Sequence, residues 1–388
     1  MRNSRYYSIA AILVLFAFSP AIRPANISLT HEVIAKIETL VAREMDQNKI
    51  PGLSIAIAVN NKLQYAKGFG MADLENSVPA TEATVYRTAS IAKAMTATAV
   101  MQLAERSKID LDAPIQRYCS AFPPKQWPVT ARLLLGHLGG IRHYKNGQES
   151  VGTAHYQTIV DSLTIFKDEP LLYEPGTKYN YTTFGYSVLG CAVEGASGMS
   201  YEDYMRQHIF QNAGMNHTGI DNSQRLIPGR AHGYSKINDK SSSPAAKNTS
   251  KIDYLKNAAL HDTSMKVPGG GLVSTSVDLA KFAIALNTGL LVNDRSRDQM
   301  WTRQKLKDGT LTSYGLGWGI SQTSLLKTVS HSGGQAGTST YLVIIPEKGL
   351  AISIMSNLEG FAMERFTRDV IQIILATTPK NQESSRHN

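Results

Sequence analysis

An apolar stretch that begins at Ser90 constrains this chain more than any other part of its sequence. Residues 91–104 are rich in Ala, Met and Leu and contain neither Gly nor Pro, so they predict a helix that is buried on several sides. Lys93 lies inside this stretch, and a buried lysine is costly unless the protein uses it. Because Ser90 and Lys93 are three residues apart, a helix places them on one face, one turn apart.

This Ser-x-x-Lys arrangement is typical of an activated serine nucleophile. Burial lowers the pKa of a lysine, and a neutral amine can accept the proton of the serine hydroxyl. The position of Ser90 at the start of the helix also favours a developing negative charge. The alternative is a helix-capping serine beside a lysine that reaches solvent. A second match, Ser324 to Lys327, has no long helix behind it, and we interpret it as chance.

The N-terminal sequence predicts an exported protein. Arg2 and Arg5 precede an apolar core at residues 9–18 that is too short for a typical membrane span, and small residues at 19–21 offer a cleavage site. We therefore expect residues 1–21 to be a signal peptide and the mature protein to be periplasmic or secreted, without a membrane span. An uncleaved anchor is the alternative. The net charge of +9 is dispersed along the 388 residues, which argues against nucleic-acid binding.

The chain contains two cysteines, Cys119 and Cys191. An exported protein can join such a pair, but two cysteines in a large chain do not make a disulfide framework. The sequence therefore favours two buried free thiols.

The order of the predicted elements indicates an α+β fold in one domain over residues 28–380. Strands and helices at the two chain ends are predicted at 29–47, 53–59, 63–68, 316–320, 325–330, 341–345, 350–355 and 361–375. The stretch between about 106 and 289 is mainly helical. We expect one antiparallel sheet, built from about 28–105 plus 290–378 and flanked by helices, with the helical lobe inserted.

Two further stretches carry residues suited to serine chemistry. Residues 179–186 are rich in Tyr and Thr, and a tyrosine there can act as a phenolate base on Ser90 if a neighbouring lysine cation lowers its pKa. The alternative is ordinary packing of the rings. Residues 331–334, His-Ser-Gly-Gly, lie between two predicted strands, where a backbone N–H can supply an oxyanion hole. The alternative there is a plain glycine turn.

Together these motifs resemble the serine β-lactamase-like hydrolases, which include class C β-lactamases, low-molecular-weight penicillin-binding proteins and related esterases and D-peptidases. Ser-x-x-Lys, a tyrosine motif and a (Lys/His)-(Thr/Ser)-Gly motif follow one another in the family's order. Residues 85–93, 137–144 and 181–186 look most like the mitochondrial serine β-lactamase-like branch. The resemblance covers about residues 30–375 and implies the β-lactamase/transpeptidase-like fold.

The resemblance implies roles for three catalytic residues. Ser90 takes the place of the nucleophile, and Lys93 takes the place of its proton partner. Tyr181 matches the motif tyrosine, which implies that it is the base in acylation and deacylation.

The resemblance also implies a substrate-binding strand. His331 stands where the family has Lys or His, so it is expected to align the base and the substrate carboxylate. Ser332 and Gly333 complete the same motif and are expected to bind substrate. The backbone N–H groups of Ser90 and Gly334 are expected to form the oxyanion hole.

One departure from the family concerns the tyrosine motif. The family often has Tyr-x-Asn, whereas this chain has Thr183 at the third position. The family's Asn amide helps to hold the lysine and the substrate amide, and Thr183 offers only a hydroxyl. Together with His331 in place of Lys, this departure puts efficient β-lactam turnover in doubt.

We therefore expect an exported serine hydrolase that forms an acyl-Ser90 intermediate. Its substrate is expected to be a peptide, a D-amino-acid amide, an ester or a β-lactam, with cell-wall peptides among the candidates. No metal and no organic cofactor is expected, because the sequence has no His-Glu-x-x-His, no zinc-spaced Cys pair and no phosphate loop. The alternatives are a true class C-like β-lactamase and a penicillin-binding or scaffold protein with little turnover.

Overall fold

Both ends of the chain contribute to one antiparallel sheet in the computed structural model, which describes residues 27–237, 254–323 and 326–376. The strands are β1 Gly52–Val59, β2 Lys62–Asp73, β3 Val78–Pro79, β4 Tyr86–Arg87, β5 Gly219–Ile220, β6 Tyr234–Lys236, β7 Leu255–Asn257, β8 Leu272–Ser274, β9 Gly319–Gln322, β10 Lys327–Gln335, β11 Thr338–Ile345 and β12 Leu350–Ser356. The main sheet has seven strands in the order β3-β2-β1-β12-β11-β10-β9. Because β1 pairs antiparallel with β12, the predicted α+β fold with a sheet from both termini is confirmed.

Some predictions concern residues outside these ranges. The signal peptide at residues 1–21, residues 377–380 at the end of the predicted domain, and Ser324 of the second Ser-x-x-Lys match all lie outside the described residues.

Helices cover both faces of the sheet and build the inserted lobe. They are α1 His31–Asn48, α2 Ala92–Glu105, α3 Ala131–Leu135, α4 Gly147–Ser150, α5 Ile159–Leu163, α6 Phe184–Ser197, α7 Tyr201–Tyr204, α8 Val267–Gly270, α9 Ser276–Asn287, α10 Asp294–Met300 and α11 Met363–Ala376. A π-helical segment, Met205–Phe210, follows α7. Within the described ranges, no helix combines the length and the apolar character that crossing a bilayer requires.

Alternation along the central strands divides the sheet between two cores. Ile55 of β1 and Ile352 of β12 pack in one core with Ile37 of α1 and Phe366 of α11. Their neighbours on the opposite face join a second core with α2, α6 and α9, and they include Ala58, Leu342, Ile344 and Met355. Because successive strand residues point to opposite faces, one strand supplies both cores. Burying each such side chain contributes about 1.5–3 kcal/mol relative to leaving it exposed.

Helix α2 lies in the centre of the second core. Residues 92–103 are all buried, so the prediction of a helix enclosed on several sides is confirmed. Small alanine side chains let α6 and α8 approach α2 closely, and Thr96 of α2 donates a hydrogen bond to the Pro268 carbonyl oxygen of α8 at 2.6 Å. The helix that follows Ser90 is therefore held rigidly by its surroundings.

The two cysteines form a disulfide, so the prediction of free thiols is wrong. Cys119 follows a short 3₁₀ turn and Cys191 lies in α6, with their Cα atoms 5.3 Å apart. Close packing brings the two segments together, because a Cβ atom on Gly195 would lie only 1.9 Å from the Tyr118 carbonyl oxygen. A contact between residues 72 positions apart depends on this packing, which the spacing of the cysteines does not reveal.

Strand β10 is longer than predicted, and residues 331–334 form part of it rather than a loop between two strands. Gly333 pairs with Thr340 and Gly334 with Ser339 of β11. Gly and Ser have low strand propensity, so the sequence pattern ended the strand at residue 330. Pairing with a wholly buried neighbouring strand outweighs that local preference.

Candidate active site

Ser90 lies in a 3₁₀ turn, Ala89–Ile91, that leads directly into α2. Ala89 has a φ of 46°, a left-handed conformation that costs a non-glycine residue about 1–2 kcal/mol. The surrounding structure holds this turn, because the Thr340 side chain of β11 donates a hydrogen bond to the Thr88 carbonyl oxygen at 3.0 Å. The sheet therefore fixes the position of Ser90 before α2 begins.

Lys93 is completely buried and directs its amine at three oxygen atoms. Its Nζ lies 3.1 Å from Ser90 Oγ, 3.2 Å from Thr183 Oγ1 and 2.6 Å from the Gly269 carbonyl oxygen. Burial lowers the pKa of Lys93 well below its ordinary value, and the charge of Lys266 adds to this effect. A neutral amine beside Ser90 can accept its proton, as the sequence predicts.

A glycine at position 269 is needed for this arrangement. A Cβ atom on Gly269 would lie 2.6 Å from Thr183 Cγ2 and 2.9 Å from the Thr183 carbonyl oxygen. Because no other residue permits so close an approach, only glycine brings this carbonyl to Lys93 while Thr183 keeps its place.

Tyr181 is half-buried beside Ser90, and its ring packs on Lys93, with Nζ 4.8 Å from the ring centroid. Burial raises the pKa of Tyr181 above its ordinary value, and an interaction of its hydroxyl with Ser90 only partly offsets this effect. A phenolate base requires a lysine cation that lowers the tyrosine pKa, whereas burial here lowers the pKa of Lys93 and so disfavours its charged form. The electrostatics therefore favour a neutral Tyr181.

His137 helps to hold Tyr181, a role that the sequence did not reveal. Its ring centroid lies 4.2 Å from that of Tyr181, and its Nδ1 accepts a hydrogen bond from the Thr182 N–H at 3.2 Å. Burial lowers the pKa of His137 well below its ordinary value, so the ring is neutral. The only signal in the sequence was its place in the family-like stretch 137–144.

Thr183 is held on both sides. Its N–H donates to His143 Nδ1 at 3.2 Å, and its hydroxyl accepts a hydrogen bond from Lys93 Nζ at 3.2 Å. Burial lowers the pKa of His143 to about 4, so the ring is neutral and its Nδ1 can accept. Thr183 thus contacts the lysine as the family's Asn does, through a hydroxyl instead of an amide.

The backbone of β10 forms the other side of the site. Gly334 faces open space, because no atom lies within 4 Å of the position of a Cβ there. Gly333 is enclosed: a Cβ would lie 2.3 Å from Thr340 Oγ1 and 2.5 Å from the Thr88 carbonyl oxygen. These two glycines therefore have different functions, since Gly333 lets the strand pack on the Ser90 turn and Gly334 leaves room for a ligand.

The His331 side chain of β10 is buried beside the Tyr181 and Tyr314 rings, and its predicted contact with a substrate carboxylate does not fit its hydrogen bonds. Its Nε2 accepts a hydrogen bond from the Tyr314 hydroxyl at 2.7 Å, and its Nδ1 donates to the Ser332 carbonyl oxygen at 2.6 Å. Burial lowers its pKa to about 3, so the ring is neutral near pH 7. Because both nitrogens are occupied inside the protein, His331 has none left for a substrate.

A cavity of about 310 Å³ opens above Ser90. Its lining residues are Ser90, His143, Tyr144, Ser150, Val151, Tyr181, Thr183, Lys266, Gly269, Gly270, Gly334, Gln335 and Ala336. Four predicted site residues therefore line it, and Lys93 contacts Ser90 from below. Ser332, Gly333 and His331 are not part of the lining. Lys266 also lines the cavity, although no role for this residue was predicted from the sequence.

The sequence matches the family described as Beta-lactamase over residues 37–376. The chain belongs to this family. It is 29% identical to the human mitochondrial serine beta-lactamase-like protein LACTB, over 84% of this chain and 76% of that protein. It is 30% identical to penicillin-binding protein 4* of Bacillus subtilis, over 83% of this chain and 71% of the other. The predicted likeness to the β-lactamase and penicillin-binding-protein family, and to its LACTB branch, is confirmed.

Solved structures agree with this assignment. The octameric penicillin-binding protein homologue of Pyrococcus abyssi superposes with a TM-score of 0.73 at 27% identity, covering 90% of this chain and 78% of the other. A D-amino acid amidase of Ochrobactrum anthropi superposes with a TM-score of 0.72 at 22% identity, covering 89% and 98%. The second match shows the shared fold alone. The β-lactamase/transpeptidase-like fold expected from the sequence is thereby confirmed.

Proposed function

We propose that this Beta-lactamase family member is an exported serine hydrolase that cleaves amide or ester bonds through an acyl-Ser90 intermediate. One observation carries the proposal: Ser90 Oγ lies 3.1 Å from the buried amine of Lys93, on which the Tyr181 ring packs, and Ser90 and Tyr181 line one open cavity. A nucleophile, a proton acceptor and a second proton carrier in mutual contact satisfy the geometric requirement for acyl transfer.

Acylation begins with proton transfer from Ser90 Oγ to the neutral Nζ of Lys93. The Oγ then forms a bond with the carbonyl carbon of the substrate, and the carbonyl electron pair moves to its oxygen. The N–H groups of Ser90 and Gly334 stabilise this oxyanion. Gly334 suits that role because its position opens onto the cavity. Donors placed in advance at a developing charge typically supply about 3–4 kcal/mol each.

The tetrahedral intermediate then breaks down. The electron pair returns from the oxyanion, the bond to the leaving nitrogen or oxygen breaks, and that atom takes a proton from Lys93 through the Tyr181 hydroxyl. Because burial keeps Tyr181 neutral, its hydroxyl can pass one proton on while it receives another. Tyr181 thus acts as a proton relay rather than as a standing phenolate. In deacylation a water molecule takes the place of the leaving group, and the same steps run in reverse.

Two observations support export. Residues 1–21 have the composition of a signal peptide, and Cys119 and Cys191 form a disulfide, a bond that persists mainly in oxidising compartments. We therefore propose a periplasmic or secreted protein, and the mitochondrial location named for LACTB remains a property of that relative. N-terminal sequencing of the protein recovered from cell fractions tests the location. Cytoplasmic protein that retains residues 1–21 would contradict it.

The proposed substrates follow from the family and from the departure at Thr183. Amides of D-amino acids are candidates because one structural neighbour is a D-amino acid amidase, and cell-wall peptides are candidates because several relatives are penicillin-binding proteins. Activated esters need only the nucleophile, the proton carriers and the oxyanion hole. Efficient β-lactam release also needs the acyl group and the water held in register, and here Thr183 lacks the amide that helps with this.

Intact-mass spectrometry with steady-state kinetics tests the proposal. The purified protein is mixed with a penicillin, a short acyl ester and a D-amino-acid amide, and Ser90→Ala serves as the control. We expect an adduct on wild type, turnover of the ester or the amide, and slow turnover of the penicillin. Loss of the nucleophile should lower kcat by about 10⁴–10⁶-fold without loss of folding. Equal activity in folded Ser90→Ala protein would refute the mechanism, and adducts without turnover would favour a penicillin-binding or scaffold protein.

A further inference from the structure

Among the lysines that the structure describes, only Lys93 and Lys266 are buried. Lys93 has a role in the proposed mechanism, whereas Lys266 has none. Lys266 ends a 3₁₀ turn, Ser264–Lys266, directly before α8, and its side chain lines the same cavity as Ser90. A lysine that is 4% exposed and faces an active-site cavity needs a physical reason, because burying a cation is costly.

The contacts of Lys266 leave its charge without a counter-ion. Its Nζ donates to the Ser150 carbonyl oxygen at 3.0 Å and lies 5.5 Å from the centroid of the Tyr144 ring. Within residues 27–237, 254–323 and 326–376, no carboxylate forms an ion pair with Lys266. Burial and the charge of Arg87 lower its pKa to about 8, so the amine is still mainly protonated at pH 7. A carbonyl and a ring accept hydrogen bonds and attract the cation but carry no net charge.

The cavity around Lys266 is lined by hydrogen-bond donors and contains no negatively charged acceptor among the described residues. Neither Asp nor Glu occurs among the described residues that line it. A second lining residue, Gln335, has an Nε2 without a hydrogen-bond partner in the described structure. A cation without a counter-ion and a donor without a partner, both on residues that line one cavity, are complementary in charge to an anionic ligand.

We propose that Lys266 binds a carboxylate of the substrate and thereby makes the enzyme selective for anionic over neutral substrates. The inference rests on the proposed function, since it names a substrate feature of the same site. Lys266 thus takes over the part that the family resemblance gave to His331, whose ring is buried and bonded to Tyr314 and to the Ser332 carbonyl oxygen. His331 is neutral and has no free nitrogen, whereas Lys266 is charged and has a free N–H.

Matched substrate pairs test the selectivity. The first pair, N-acetyl-D-glutamate p-nitroanilide and its isosteric D-glutamine analogue, places the carboxylate on the acyl half. The second pair, N-acetyl-D-alanyl-D-alanine and its C-terminal amide, places it on the leaving group. We expect wild type to prefer the anionic member of one pair by about 10–100-fold in kcat/KM, because hydrogen bonds to charged groups are stronger than neutral ones. The pair that shows the preference locates the carboxylate.

Lys266→Met should abolish this preference, because kcat/KM should fall about 10–100-fold more for the anionic member than for the neutral one. Lys266→Arg should retain part of the preference. Lys125→Met is the matched control, because Lys125 makes similar contacts away from the active-site cavity. Its Nζ donates hydrogen bonds to the Lys167 and Glu169 carbonyl oxygens and lies 5.2 Å from the Phe122 ring centroid. That variant should behave as wild type on both pairs. Circular dichroism and thermal midpoints check that each variant is folded.

Each outcome decides a different point. Equal loss on anionic and neutral substrates in folded Lys266→Met protein would overturn the inference and assign Lys266 to positioning residues 144–150. A wild type that hydrolyses the neutral members as fast as the anionic ones would overturn it even if Lys266→Met does not fold. Wild type that hydrolyses none of the four substrates and forms no adduct on Ser90 would contradict the proposed function itself.

Discussion

The two sides of the active-site cavity work through different parts of the chain. On the helical side, Ser90, Lys93, Tyr181 and Thr183 present side chains that contact one another. On the β10 side, the cavity is lined by the backbone of Gly334, while the His331 side chain points into the protein and bonds to Tyr314.

This difference predicts how substitutions on each side should change activity and stability. On the helical side a substitution removes a chemical group, so it should lower activity and leave the fold largely intact. On the β10 side the group proposed to stabilise the oxyanion is the main-chain N–H of Gly334. Every residue except proline carries such an N–H. Substitutions there should act through the space they fill. Four experiments test this comparison, in order of decreasing effect.

Tyr181→Phe removes one hydroxyl from the helical side. We expect kcat/KM for an amide substrate to fall by about 10²–10⁴-fold, the usual contribution of a positioned proton carrier. Stability should change little, because the ring remains. The pH profile of wild type distinguishes a Tyr181 proton relay from a Tyr181 phenolate base. If neutral Lys93 is the base, activity should rise with pH through the lowered pKa of that lysine. Activity that instead rises only near the pKa of a buried tyrosine would contradict the relay.

Gly333→Ala and Gly334→Ala form a matched pair on the β10 side. The Cβ at position 333 would meet Thr340 Oγ1 and the Thr88 carbonyl oxygen, so we expect the free energy of unfolding to fall by about 1–3 kcal/mol and the Ser90 turn to shift. The Cβ at position 334 meets nothing, so stability should stay within about 0.5 kcal/mol. Urea unfolding measures both. Equal destabilisation would show that the two glycines do not differ in the way described.

Thr183→Asn tests the departure from the family on the helical side. Thr183 already contacts Lys93, so the missing element is the amide donor toward the substrate. We expect penicillin kcat/KM to rise by about tenfold, the contribution of one hydrogen bond, and ester kcat/KM to stay unchanged. Thr183→Ser, which keeps the hydroxyl, is the control. Wild-type penicillin turnover near that of efficient β-lactamases, or no gain in Thr183→Asn, would show that this substitution does not limit the reaction.

His331→Gln should have the smallest effect on activity, within about threefold, because the His331 side chain does not line the cavity. Its effect should instead appear in acid stability. The pKa of His331 is about 3 when folded and near 6.5 in unfolded chains, so the unfolded state binds more protons and stability falls as pH drops from about 6.5 to 3. The variant should lose up to about 1.4 kcal/mol per pH unit of that dependence. An unchanged slope, or activity that depends on His331 for carboxylate substrates alone, would contradict this assignment.

Local sequence was enough to predict the pairing of Ser90 with Lys93 and the strands and helices of the general fold. Ser90 and Lys93 needed only a helix to meet, because three residues make about one turn. Short apolar runs bounded by turn residues predicted the strands at both chain ends, because a pattern of that kind lies within a few neighbouring residues.

Tertiary structure alone decided where the distant groups lie. The disulfide between Cys119 and Cys191, the enclosed ring of His331 and the cavity-facing amine of Lys266 each depend on segments that packing brings together. Neighbouring residues give no signal for such contacts. Burial then sets the charge states: it lowers the pKa values of Lys93 and His331 and raises that of Tyr181, and burial is a property of the folded chain.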